Sequence, residues 1–302
     1  MLKLYIVFMK ALLTEIKARS TNKSKFLYSY FSSAIMGFLL QKKFKNIKTF
    51  CLFIGYGRSG HTLIASLLDA HPDIIMGIEW GLFDHITLGF KKNQVFYSLI
   101  KNSQQYAKKK NNTWTGYSYR VNDSWQSKYR LLRVIGDKHG GTNSTKLFTN
   151  PELLEKTEKI LNMKPKLIHV IRNPFDMITT IMFRRLEEIN PNYIPDSFNL
   201  LPFIDKFFQN ACVLKNLKEK NYYDIFDLYH EEFIKAPKSN LKNLISFLGL
   251  EANDSYLDNC ASIVYSEPNK TRFKIDWPAE LINLVENEFV KYPFLRNYKY
   301  SD

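Results

Sequence analysis

The stretch from residue 50 to residue 72 constrains the fold more than any other part of the chain. Phe50-Cys51-Leu52-Phe53-Ile54 is an unbroken apolar run, the pattern of a strand buried on both faces. Gly55-Tyr-Gly-Arg-Ser-Gly-His-Thr62 follows at once. Leu63, Ile64, Leu67 and Leu68 then recur at helical spacing, and His71-Pro72 closes the helix, because a residue before proline avoids the helical region. Strand, glycine loop and helix in that order form the context required of a phosphate cradle. The loop fits G-x-x-x-x-G-K-[ST] at Gly55, Gly60 and Thr62, but His61 stands where the lysine that reaches β- and γ-phosphates belongs. A cradle without that lysine points to an anionic nucleotide lacking a γ-phosphate, and away from an ATPase.

The same alternation recurs downstream. Leu167–Ile171 reads as a second buried strand, followed by the Arg172-Asn173-Pro174 turn and a helical segment from about Phe175 that ends before Pro191. Ile225–Tyr229 reads as a third, ahead of a helix from Pro237 to Leu248 whose apolar stripe is Leu241, Leu244, Ile245 and Leu248, with Gly249 at its end. Arg130–Ile135 supplies a further candidate strand before Gly136-Asp137-Lys138. Strands alternating with helices predict an α/β fold: a P-loop-type parallel sheet flanked by helices on both faces. Residues 91–128, polar and Lys/Asn-rich with scattered aromatics, read as loops and helices near a substrate entrance.

The expected organisation is a basic, mostly helical extension over 1–48 and one catalytic domain over 49–302. Apolar residues make up 45% of the 302 and allow a sizeable core. The net charge of +14 favours anionic partners. Nucleic acid is not among those expected, since neither a zinc-finger spacing nor an RNA-binding aromatic signature occurs. The widely separated Cys51, Cys212 and Cys260 argue against a zinc site or a disulfide framework and suit a reducing, cytoplasmic setting. Phe26–Leu40 is uncharged but too short for a membrane span. It reads as a helix covering the core or, with lysines on both sides, as an interfacial helix giving peripheral membrane contact.

In the glycine loop, backbone N–H groups from Ser59 to Thr62 point toward an anion at the helix N-terminus, with Arg58 and the hydroxyls of Ser59 and Thr62 as added donors. Arg172 follows a core strand at its C-terminal end, where α/β proteins place ligands. Thr180, eight residues on, sits two turns into the next helix, so the pair can clasp a second phosphate.

Three segments in order, GYGRSGHTLIASLLDAHPDI, LIHVIRNPFDMITT and YHEEFIKAPKSNLKNLISFLGL, resemble the sulfotransferase superfamily that uses 3′-phosphoadenosine 5′-phosphosulfate (PAPS), in particular its Golgi-type and bacterial branches. The resemblance implies direct in-line transfer of a sulfuryl group to an acceptor hydroxyl or amine, with no metal required. It makes Arg58, Ser59, Gly60, His61 and Thr62 the 5′-phosphosulfate loop, and Arg172 with Thr180 the 3′-phosphate motif. Thr180 stands where serine is usual, and His61 where many relatives have threonine. Glu79 occupies the neighbourhood of the family's general base, with Trp80 as a wall that would raise its pKa. Gly136–Gly141 resembles the segment carrying a substrate-side lysine, here Lys138, with His139 as the rival base. Asn269-Lys270-Thr271-Arg272 resembles a basic loop that closes over the cofactor, giving Lys270 or Arg272 as phosphate contacts. His71, His85, His169 and His230 read as structural. The acceptor stays open among carbohydrate, peptide, lipid and small alcohol. The alternatives to this reading are a P-loop kinase of a nucleotide or small molecule and a non-catalytic anion-binding relative.

Overall fold

The computed structural model describes residues 22–108, 117–189 and 200–302. Five strands, β1 (Thr49–Gly55), β2 (Ile74–Ile78), β3 (Val134–Lys138), β4 (Lys166–Ile171) and β5 (Ile225–Tyr229), form one sheet in the order β2-β3-β1-β4-β5. Every neighbouring pair is parallel. The sheet is therefore the expected α/β architecture, with β1 at its centre.

The alternation along β1 shows why both faces are covered. Phe50, Leu52 and Ile54 point into one buried cluster, which also takes in Ile75, Ile135, Leu167 and Ile171. Cys51 and Phe53 point into the other, with the apolar stripe of the His61–Asp69 helix and that of the Pro237–Phe247 helix. A strand buried on both faces has no polar side to alternate with, which is the physical reason for its unbroken apolar run.

One element lies elsewhere than expected. The strand anticipated over Arg130–Ile135 runs instead over Val134–Lys138, so Gly136-Asp137-Lys138 lies inside β3 and ends it. Arg133 N and Val134 N donate to Asp73 O, and Arg130 is drawn onto the Asp73 carboxylate, which keeps 130–133 as a surface approach to the sheet. Within 91–128, a helix spans Lys92–Lys108.

Of the expected basic extension, residues 1–21 lie outside the described residues. Asn22–Leu39 is a helix and Gln41–Asn46 a short 3₁₀ helix. Phe26, Tyr30 and Leu40 pack on the core, and Gln94 Nε2 donates to Tyr30 O at 3.1 Å. Among the described residues no helix is long and apolar enough to cross a membrane.

Because all strands run the same way, their C-terminal ends share one edge of the sheet. Gly55, Ile78, Lys138, Ile171 and Tyr229 are those ends. Arg58, Glu79, Lys138, His139, Arg172 and His230 each lie within three residues of one. The register delivers residues scattered over 170 positions to one place, where open α/β sheets bind ligands.

Candidate active site

A cleft of about 1090 Å³ opens at this edge, lined among others by Arg58, His61, Glu79, Lys138, Arg172 and Thr180. Its floor is the glycine loop. Gly60 caps the His61–Asp69 helix at φ +96°, a left-handed conformation that costs glycine nothing. The first helical turn thus presents N–H groups that have no intrahelical acceptor. Against the loop lies the start of the Gly140–Thr149 helix, so close that a Cβ on Gly141 would stand 2.6 Å from Gly57 N. Gly55 N donates to Ser144 Oγ of that helix at 2.7 Å.

Two loop residues are placed differently from expectation. Ser59 is fully buried, and its hydroxyl donates to Tyr56 O at 3.1 Å, bracing the loop rather than facing the cleft. The His61 ring is also buried, edge-on to Phe53, with Nδ1 3.3 Å from Ser59 Oγ. Burial, reinforced by the Lys138 charge, holds its pKa well below the ordinary 6.5. A neutral imidazole stands where a P-loop ATPase has a cation.

Glu79 follows β2 at φ 53°, strained for a non-glycine residue. Asp137 on β3 explains how it is held. Its buried carboxylate accepts from Trp80 N (3.2 Å), Gly81 N (3.1 Å) and Leu82 N (2.9 Å), while Glu79 N donates to Lys138 O at 2.8 Å. Burial pushes Asp137 up to about 6 despite those three donors. Lys138 Nζ donates to Glu79 Oε1 at 2.6 Å, joining a nearly buried ammonium to a carboxylate 56% exposed. The expected rise in the Glu79 pKa does not occur. Burial pushes it up, but the charge and hydrogen bond of Lys138 outweigh that and leave it below its ordinary 4.5. Trp80 forms no wall for this purpose; it stacks on His85 at 3.7 Å. His139 lines the same corner, its pKa lowered by burial, with Nδ1 buried and unpartnered among the described residues.

At the other end, Arg172 Nη1 donates to Arg58 O at 3.1 Å and Nη2 to Asn269 O. Its buried Nε has no acceptor among the described residues. Thr180 Oγ1 lies 2.7 Å from Asp176 O and 2.8 Å from Thr271 Oγ1. Arg58, at φ 64°, is destabilised as a cation by burial and then by Arg184 and Arg172. Three guanidinium groups thus crowd one cleft, an arrangement that an anion relieves.

The sequence profile of the Sulfotransferase family matches residues 52–254. The chain belongs to that family. Solved structures share its fold. A sulfotransferase from Mycobacterium avium is 11% identical with TM-score 0.52, covering 87% of this chain and 81% of its own. A sulfotransferase domain from the olefin synthase of Synechococcus PCC 7002 is 18% identical with TM-score 0.49, covering 81% and 95%. No curated protein matches the sequence. Family membership favours sulfuryl transfer over the kinase alternative.

Besides Ser59, two further residues expected to contact phosphate in this sulfotransferase, Lys270 and Arg272, do not line the cleft. Lys270 is exposed and donates to Asp302 O at 2.6 Å. Arg272 is 1% exposed; Nη1 pairs with Asp176 at 2.6 Å and Nε donates to Tyr300 O at 2.7 Å. A buried guanidinium with a buried carboxylate is a fastening, and here it ties the 271–274 turn to the Pro174–Ile189 helix. Thr271 and Lys274 of the same segment do line the cleft. His230, read as structural, lines it too, drawn down to about 3 by burial and by Arg172. Asp137 escaped notice although it adjoins Lys138, because an inward carboxylate gives no periodic signal. Tyr106, Tyr117 and Tyr119 also line the cleft, from the 91–128 stretch expected near a substrate entrance, and Tyr265 joins them from a segment with no pattern that points to it.

Proposed function

We propose that this sulfotransferase moves a sulfuryl group from PAPS to an acceptor hydroxyl or amine by direct in-line displacement. The acceptor atom forms a bond to sulfur while the bond from sulfur to the 5′-phosphate oxygen breaks. The electron pair leaves on that oxygen, and the acceptor proton passes to the base. Arg58 and the loop N–H groups from Ser59 to Thr62 hold the 5′-phosphosulfate. Arg172 and Thr180 hold the 3′-phosphate. Glu79 is the base, with His139 its rival in the same corner. Lys138 stabilises charge on the sulfuryl and bridging oxygens, which is where preorganised cations act most strongly.

The observation that carries this reading is that the guanidinium groups of Arg58 and Arg172 line one cleft, joined through the Arg58 carbonyl. The residues fit the donor on two further counts. Arg172 Nε is a buried donor lacking an acceptor, and the loop is an anion cradle without a γ-phosphate lysine. Glu79 is ionised, the form a base needs, and its bond to Lys138 makes it a weaker proton acceptor until that lysine turns to the sulfuryl oxygens. At about 1090 Å³ the cleft is slightly larger than typical ligand pockets, roughly 300–1,000 Å³, which leaves room for donor and acceptor together.

Incubation with PAPS and a panel of a carbohydrate, a tyrosine peptide, a lipid alcohol and a small alcohol tests the reaction. Mass spectrometry should find one added SO₃. A thermal shift with adenosine 3′,5′-bisphosphate tests the donor site alone. Absence of both would favour the non-catalytic reading.

A further inference from the structure

The Asn22–Leu39 helix is apolar on two faces, and the core uses only one. Phe26, Tyr30 and Ser33 lie four and three residues apart and face the Lys92–Lys108 helix and the core. Leu27, Phe31 and Phe38 lie four and seven residues apart, one and two turns along the helix, and therefore share the adjacent outward face. They are 42%, 54% and 68% exposed, an unusual density of large apolar side chains on one helix.

The charge along the sequence flanking this stripe is of one sign. From Ile16 to Leu68 the sequence has no acidic residue. Lys42, Lys43, Lys45 and Lys48 are all exposed just beyond the helix. The underlying Lys92–Lys108 helix has no acidic residue either. A protein partner with an apolar groove would need no such cationic border. A bilayer with anionic headgroups matches both features, taking the apolar side chains among its acyl chains and the lysines at its phosphates.

We propose that Leu27, Phe31 and Phe38, with the lysines at 42, 43, 45 and 48, form a docking surface for an anionic lipid bilayer. The helix lies in the plane of the interface, its inner face still packed on the domain. The role is independent of the sulfuryl-transfer reading and stands or falls separately.

Flotation of the full chain with vesicles tests it. Vesicles of phosphatidylcholine with phosphatidylglycerol should carry the protein up, and phosphatidylcholine alone should carry much less. Leu27→Ser, Phe31→Ser and Phe38→Ser combined should reduce binding at least tenfold while leaving the melting temperature and the adenosine 3′,5′-bisphosphate shift unchanged. Lys42→Glu, Lys43→Glu and Lys45→Glu combined should remove the preference for anionic vesicles. Each lysine near such a surface contributes roughly a fivefold change in binding. No binding by the full chain overturns the proposal, as does undiminished binding by the triple serine variant, which would place the contact elsewhere. Light scattering without lipid supplies the last arm. A dimer that the triple serine variant dissolves would assign this face to a second copy of the chain, and the bilayer reading would fall.

Discussion

The two halves of the cleft are built by different means. On the side where β1, β2 and β3 end, the backbone does most of the work: loop N–H groups, a left-handed Gly60, and a Glu79 turn pinned by three N–H bonds to Asp137. On the side where β4 and β5 end, side chains do it. Arg172, Asp176, Thr180, Thr271 and Arg272 interlock across about a hundred positions. A backbone site is fixed once the strand and helix form. A side-chain site needs the segment after residue 260 folded back onto it. The first half is suited to hold the reacting atoms still, the second to grip a remote part of the ligand.

The sharpest test of that division is Glu79→Gln. It should lower turnover by about 10²–10⁴, the usual contribution of a positioned base, with adenosine 3′,5′-bisphosphate affinity unchanged. Affinity falling in parallel would show that the halves are not separable, and near-normal turnover would move the base to His139. Arg272→Ala should cost about 3 kcal/mol of stability, because it leaves the buried Asp176 carboxylate with Arg172, 4.0 Å away, as its remaining cationic partner. Denaturant melts would read this. Its damage should spread to the Arg172 side through the 271–274 turn and leave the residual turnover per bound donor close to wild type.

The two halves also differed in how far they could be read from the residues alone. The sheet, its central strand and the loop were legible because a buried strand and an amphipathic helix leave periodic traces. So were Arg58 and Arg172, since one lies in the glycine loop between such elements and the other directly follows one. The burial of Arg272 was not. A charged residue in a basic loop looks solvated until its carboxylate partner, some hundred residues away, is placed beside it. The direction of the Glu79 shift was missed for the same reason. Trp80 is adjacent in sequence, but Lys138 across the β2–β3 pair is what the carboxylate touches.

Asp137→Asn makes a smaller, local change. One amide oxygen replaces two carboxylate oxygens, and the amide NH₂ then faces N–H donors from the 80–82 turn. The expected cost is about 1–3 kcal/mol of stability. Turnover should fall while donor affinity holds, because the turn carrying Glu79 loosens and the opposite half does not. Gly141→Ala should cost a similar ~1–3 kcal/mol by overpacking, since its Cβ meets Gly57 N. Here donor affinity should fall, because the cradle itself is displaced. The two substitutions thus separate the base from the cradle within one half.

The smallest effect concerns pH. A general base must be ionised to accept a proton, so kcat/KM falls as pH drops through its pKa in the free enzyme. Lys138 holds Glu79 below 4.5 against the upward push of burial, so the acid limb of activity should be centred below that value. Whatever stability the Glu79–Lys138 pair adds follows the same sign, being present above the unfolded pKa and lost as pH falls through the lower folded one. A limb above 4.5 but below the ordinary histidine value of 6.5 would identify His139. Because the Glu79 carboxylate is more than half exposed, salt should weaken its pairing with Lys138. Near 1 M salt the Debye length is about 3 Å, and the limb should move upward. A histidine limb should respond less, because the Glu79 and Asp84 carboxylates raise the His139 pKa while Lys138 and Lys146 lower it, and screening weakens both sets.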